Sequence, residues 1–146
     1  MATIDQFKAQ LTGGGARANQ FRVTMNTPGA VATGLDARRT SFLVKAAALP
    51  GRTMGEIAIP FRGRNLYIVG DSEFDTWETT IINDTDFMVR NAMERWQNAM
   101  NDTVTNTGLI NVADYQADLI VEQLDRDDTV LKSYILRGCF PQVVAP

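Results

Sequence analysis

The sequence predicts a mainly β protein of the α+β class: an antiparallel β-sandwich or half-barrel with one flanking helix. Three observations carry this. About seven short segments alternate apolar and polar residues or are rich in β-formers. The connections between them are mostly of hairpin length, which favours antiparallel sheets. One stretch alone, residues 85–101, has a long apolar stripe at helical spacing.

In chain order, residues 3–11 predict a short amphipathic helix. Thr3 and Gln6 match a capping box, and Ile4, Phe7 and Leu11 share one face. That face has to pack somewhere. Gly13-Gly14-Gly15 stops the helix and reads as a linker. The three glycines lack the Lys-Ser/Thr that would make them a phosphate loop. Residues 19–26 predict a half-buried strand with Phe21, Val23 and Met25 on one side. Residues 27–40 read as a loop, in which Arg38-Arg39 is a solvated or interface feature.

Residues 41–84 are the most informative stretch. They read as strand 41–47, a turn at Ala48-Leu49-Pro50-Gly51, strand 56–61, a turn at Arg62-Gly63-Arg64, strand 65–69, a turn at Gly70-Asp71-Ser72 and strand 74–82. Pro60 confines its strand to an edge or interrupts it. No plausible catalytic group lies here. A hairpin of this length with a charged tip exceeds what one small domain needs for its own core. The segment therefore predicts an arm that completes its packing on a neighbouring copy, and function in assembly rather than at an active site.

The helix at 85–101 is expected to take its N-cap and favourable negative charge from Asp84, Thr85 and Asp86. Its stripe of Met88, Val89, Ala92, Met93, Trp96, Ala99 and Met100 predicts a helix packed on a sheet. Residues 102–116 read as a polar loop. A strand around Leu119, Val121 and Gln123, the charged turn Asp125-Arg126-Asp127-Asp128 and a returning strand from Val130 to Leu136 complete the chain, which runs through Gly138-Cys139-Phe140-Pro141 to Pro146.

Length and composition bound the rest. One domain with one core accounts for 146 residues. A chain that is 45% hydrophobic and 21% charged is ordinary for a globular protein. A net charge of −3 argues against a dedicated nucleic-acid binder, whose affinity comes from Lys and Arg displacing counterions. The absence of histidine removes Ser-His-Asp and Cys-His arrangements and His-based zinc sites. The single Cys139 permits no intrachain disulfide and reads as a small buried hydrophobe. Asp71, Glu73 and Asp75 form half a calcium loop but lack its central Gly and closing Glu, so they read as solvated turn acids. No cofactor, metal site or enzymatic activity is expected. No apolar run reaches a membrane span and no signal peptide is evident, so folding in a cytoplasm is expected.

The order and spacing of several segments resemble the tail tube proteins of contractile-tailed bacteriophages. They are Lys45-Ala-Ala-Ala-Leu-Pro50, Ile59-Pro-Phe-Arg-Gly-Arg-Asn-Leu-Tyr-Ile-Val-Gly-Asp71, Phe74-Asp-Thr-Trp77, Ile82-Asn-Asp84, Arg95-Trp96-Gln97 and Gly138-Cys-Phe-Pro141. The resemblance covers most of residues 18–142. It implies a β-sandwich at 18–146, with a protruding hairpin at 45–66 and a helix at 85–101, preceded by an N-terminal helical arm at 1–17. It further implies hexameric rings whose inner strands join a continuous 24-stranded barrel, and rings stacked into a tube that conducts the genome.

The implied partners are further copies of the chain and the sheath, tape-measure and baseplate proteins. DNA passes through the lumen without specific binding, and the chain does not insert into membranes. The implied location is the virion tail, assembled in the host cytoplasm. By analogy, Pro50, Gly51, Arg52, Arg62, Gly63 and Arg64 are candidates for the contact between rings, with Asp125, Asp127 and Asp128 as acidic partners. The N-terminal segment and the end of the chain are further candidates. Family members continue past the Gly-x-Phe-Pro segment with an acidic turn and a strand, so a longer protein or a missing final strand is expected. The alternatives are the inner tube of a tailocin or type VI secretion machine, or a single-ring baseplate or terminator protein. From other classes, a metal enzyme built on Asp71, Glu73 and Asp75 and a nucleic-acid-binding module are weaker readings.

Overall fold

A computed structural model describes residues 3–146, the side chain of Thr12 excepted. Seven strands and four α-helices follow one another along the described chain. The strands are β1 (Phe21–Met25), β2 (Val44–Ala47), β3 (Arg52–Phe61), β4 (Arg64–Phe74), β5 (Thr79–Ile81), β6 (Ala117–Leu124) and β7 (Val130–Cys139). The helices are α1 (Ile4–Gln10), α2 (Ala37–Leu43), α3 (Met88–Met100) and α4 (Val112–Tyr115). The class is the expected one: mainly β, with antiparallel sheets and a few helices. The strands divide into a triple, β1-β6-β7, and two pairs, β2-β5 and β3-β4.

The chain forms two compact units, residues 1–45 with 81–146, and residues 46–80. The core of the larger unit is built from the alternation of β1. Val23 pairs directly with Val121 of β6, and Val23, Met25, Val121 and Leu124 are buried. Val89, Ala92 and Trp96 of α3, with Pro28, Val31, Thr33, Thr40 and Val44, are also buried. The indole N–H of Trp96 donates to the Tyr115 carbonyl at 2.7 Å, which satisfies a buried polar group at no cost to packing. The β6–β7 turn closes through the Asp125 N–H donating to Thr129 O and the Asp128 N–H donating to Asp125 O.

Several boundaries differ from the sequence reading, each for a physical reason. Residues 37–43 are helical, where a loop and then a strand were expected. Asp36 caps α2 by accepting from the Arg38 and Arg39 N–H groups, and Thr40 bonds back to Asp36 O at 2.7 Å. Gly70-Asp71-Ser72 is not a turn. β4 runs through it and absorbs one extra residue as a β-bulge opposite Gly55. The hairpin therefore lies further along the chain than the expected 45–66 and spans Arg52–Phe74, while the strand expected at 74–82 is reduced to Thr79–Ile81. α3 begins at Met88 rather than 85, with Phe87 as its left-handed N-cap; Asp86, also paired with Arg39, accepts from the Met88 N–H at 3.4 Å. The loop at 102–116 contains the one-turn helix α4.

Candidate functional site

The smaller unit carries the β3–β4 hairpin, with strands of 10 and 11 residues. At about 3.3 Å per residue such strands extend about 33 Å. Its tip is a two-residue turn, Arg62-Gly63, between the paired Phe61 and Arg64. Both turn residues have positive φ, 47° and 80°, the requirement of a type I′ turn that matches strand twist. Gly63 takes that conformation without strain; Arg62 takes it with a Cβ.

The register sorts the distal hairpin into two unlike faces. Ile57 stands opposite Ile68, Ile59 opposite Leu66, and Phe61 opposite Arg64. Side chains directly opposite share a face, so Ile57, Ile59, Phe61, Leu66 and Ile68 form one apolar stripe with Arg64 at its end. The other face mixes Glu56, Ala58 and Pro60 with Asn65, Tyr67 and Val69. The five stripe residues remain 41–60% exposed, and nothing else in residues 46–80 covers them. This stripe escaped the sequence reading, which singled out the charged tip. The alternation of Glu56–Phe61 and Asn65–Val69 was visible, but the pairing register was needed to merge the two rows.

The base of the hairpin is set by close approaches. A side chain at Gly51 would meet the Asp75 carboxylate, which also accepts from Thr53 Oγ1 at 3.3 Å. At the bulge, a Cβ on Gly55 would lie 3.0 Å from Asp71 O, and one on Gly70 would lie 3.2 Å from the Gly55 carbonyl carbon. The two backbones thus meet where no side chain fits. Trp77 Nε1 donates to Ala48 O at 2.6 Å and ties the two ends of this unit together.

The predicted contact residues are split between the units. Pro50, Gly51, Arg52, Arg62, Gly63 and Arg64 belong to residues 46–80, and Asp125, Asp127 and Asp128 to the β6–β7 turn of the larger unit. Among the described residues, Arg52, Arg62 and Arg64 form no ion pair. The guanidiniums of Arg52 and Arg62 lie over the rings of Phe74 and Phe61, at 5.7 and 5.3 Å from the centroids. Asp127 is held below the usual carboxylate range by hydrogen bonds from Thr129.

A second uncovered apolar surface lies on α1. Its capping box is formed, yet Ile4, Phe7 and Leu11 are 73%, 65% and 43% exposed and the helix buries no residue. β7 forms one edge of its sheet, with Val130, Leu131 and Ile135 exposed. Phe42 of α2 is also exposed, beside an open cleft lined by Arg22, Arg38 and Ser41.

Other predicted features fall elsewhere. Asp71 and Glu73 lie within β4, with Asp75 just beyond it. Among the described residues no cluster of three or more His, Cys, Asp or Glu is placed to hold a metal ion. Cys139 is half-buried rather than buried, and desolvation followed by the nearby Asp118 charge pushes its thiol up. Among the described residues no helix is long and apolar enough to cross a membrane.

Comparison with known proteins adds a family to this geometry. Residues 16–146 match the family model described as phage tail tube protein. The chain is 33% identical over 144 residues to the tail tube protein of Serratia phage KSP90, covering 97% of this chain and 81% of that one. It is 30% identical over 142 residues to tail tube protein gp19 of Enterobacteria phage T4, covering 97% and 82%. The gp19 of Enterobacteria phage T6 is 29% identical over the same length.

Proposed function

The chain belongs to the phage tail tube protein family, and on that premise we propose that it is the structural subunit of the inner tube of a contractile tail. Six copies form a ring, and stacked rings make the conduit for the genome. Residues 18–146 supply the tube domain, residues 1–17 an arm, and the hairpin the reach toward a neighbouring ring. Sheath, tape-measure and baseplate proteins are its other partners, and the virion tail is its place. No catalytic chemistry is part of this reading.

One observation carries it beyond family membership: the surface left uncovered by the chain itself. The arm stripe stays 41–60% exposed, the α1 face stays 43–73% exposed, and β7 adds an unpaired sheet edge. Sheet closure across subunits removes exposed edges. Head-to-tail contacts between rings propagate into a filament instead of closing. Free guanidiniums at the arm tip and the acidic β6–β7 turn have the complementary charges such a contact uses. A net charge of −3 suits a conduit through which DNA slides without adhering.

Negative-stain electron microscopy of the purified protein tests the reading. Long hollow tubes of uniform width are expected. Single rings would assign the protein to a terminating or baseplate role instead, and persistent monomers at high concentration would overturn assembly altogether.

A further inference from the structure

We propose that in the assembled tube the apolar stripe on the arm of one copy is covered by α1 of another copy. The proposal rests on the tube reading and names two surfaces that meet within it. The stripe is Ile57, Ile59, Phe61, Leu66 and Ile68, and its partner is the face of Ile4, Phe7 and Leu11.

The first argument is that on its own α1 is a marginal helix. It has seven residues, and isolated helices below about 12–15 residues are marginal in water. A formed capping box, with the Gln6 N–H donating to Thr3 Oγ1 and the Thr3 N–H donating to Gln6 Oε1, does not replace tertiary packing. A short helix with a specified N-terminus and an unburied apolar face needs an outside surface.

The second argument is fit. From Ile57 to Phe61 the stripe runs about 13 Å along the strand, and its two strands are about 5 Å apart. From Ile4 to Leu11 the helix face runs about 10 Å, on a body about 10 Å wide. One short helix covers one face of a two-stranded ribbon, which also meets the need of such a ribbon for packing on a third element. Every copy presents both surfaces, so each contact leaves one of each free for the next copy, which is the head-to-tail pattern of a growing tube.

Charge sets the direction. Arg64 is the charged residue of the stripe, while α1 carries Asp5 in its first turn and Lys8 in its last, both flanking the apolar face. With its first turn toward the hairpin tip the helix brings Asp5 to Arg64 and keeps Lys8 away from it. Arg52 and Arg62 then remain for the Asp125–Asp128 turn.

The test uses two proteins, each with Cys139→Ser and one new cysteine, Phe7→Cys in one and Leu66→Cys in the other. They are mixed, assembled and oxidised. Disulfide-linked heterodimers that exceed both homodimers several-fold are expected in tubes and not in dilute subunits. Tubes from the unsubstituted protein without heterodimers in the mixture would overturn the contact and leave the tube reading standing. A Phe7→Cys, Leu66→Cys chain that cross-links only within itself would overturn it as well. Failure of the unsubstituted protein to form tubes would remove both readings. Because the substitutions themselves can impair assembly, hydrogen exchange on the unsubstituted protein gives a second readout. Peptides covering residues 3–11 and 56–69 are expected to slow together on assembly, and an unprotected 3–11 in tubes overturns the proposal.

Discussion

Arg39 of α2 and Asp86, two residues before α3, are joined by a 2.8 Å hydrogen-bonded ion pair across 47 positions of sequence. The same guanidinium donates through its other nitrogen to Asp84, which ties both acids to one cation. The segment that returns from the smaller unit is thereby fastened to the helix that precedes the departing one.

This clamp predicts a pH dependence. The hydrogen bond from Arg39 lowers the Asp84 pKa below its ordinary 3.8, and the same contacts raise that of Arg39. For the lowered carboxyl, the stabilising contribution is present above pH 3.8 and is lost as pH falls from there through the folded value. For the raised guanidinium it is lost only at strongly alkaline pH. Thermal melts should therefore show Arg39→Ala below the unsubstituted protein at pH 5–8, with the gap closing below about pH 4. Both groups are solvent-exposed, so the gap is modest. A gap that persists at pH 2 would show that Arg39 acts through packing instead.

Trp96 should be the costliest single position in the larger unit. It is 2% exposed and donates to Tyr115 O. Trp96→Ala removes the ring and leaves a cavity, which costs about 3–5 kcal/mol. Trp96→Phe keeps most of the volume but orphans the carbonyl, for about 1–3 kcal/mol. Denaturant unfolding should rank Ala well below Phe, and Phe below the unsubstituted chain. Equal losses would mean that the hydrogen bond contributes nothing.

How far the sequence disclosed this structure depends on whether the cause of each element was local. The capping box of α1, the alternation of β1 and the stripe of α3 are local, and all three were legible. α2 was missed because Ser41–Ala47 alternates like a strand, although Asp36 before Ala37-Arg38-Arg39 was a usable N-cap signal. The start of α3 was misplaced because Asp84 turns to the Thr85 N–H and to the distant Arg39, and the first helical N–H that finds an acid is that of Met88, on Asp86. Gly70-Asp71 has turn chemistry and was read as a turn, but here it allows two backbones to meet. Of the candidate site, the charged tip was legible, whereas the apolar stripe was not, since it exists only once Ile59 is known to face Leu66.

The glycine contact at the bulge predicts a defect confined to the arm. Gly55→Val would press a branched side chain against Asp71 O, and Gly70→Val would press one against the Gly55 carbonyl and Ile57. In either variant the β3–β4 amides beyond the bulge should exchange with deuterium at least tenfold faster. The melting of the larger unit should change little, because Trp96 and the Val23–Val121 pair lie outside residues 46–80. Exchange in the arm that stays at the unsubstituted rate would show that the strands can absorb a side chain there.

Charge reversal at the hairpin tip separates assembly from folding. Arg62 and Arg64 are exposed and form no ion pair among the described residues. Arg62 forgoes only a contact with its neighbour Phe61 when replaced. Surface substitutions of this kind usually change stability by no more than about 0.5 kcal/mol. Arg62→Glu with Arg64→Glu should therefore leave the circular dichroism spectrum and melting curve of the subunit close to the original. Tube growth is a different matter, because like charges brought together in a partly desolvated contact oppose association. The doubly substituted protein should remain as subunits or single rings under conditions in which the unsubstituted protein forms long tubes. If Asp125, Asp127 and Asp128 oppose Arg62 and Asp5 opposes Arg64, replacing all four acids by Lys in the same chain should restore growth. Tubes of normal length from the Glu variant would remove the tip from the contact and leave the apolar stripe as the part of the arm that binds.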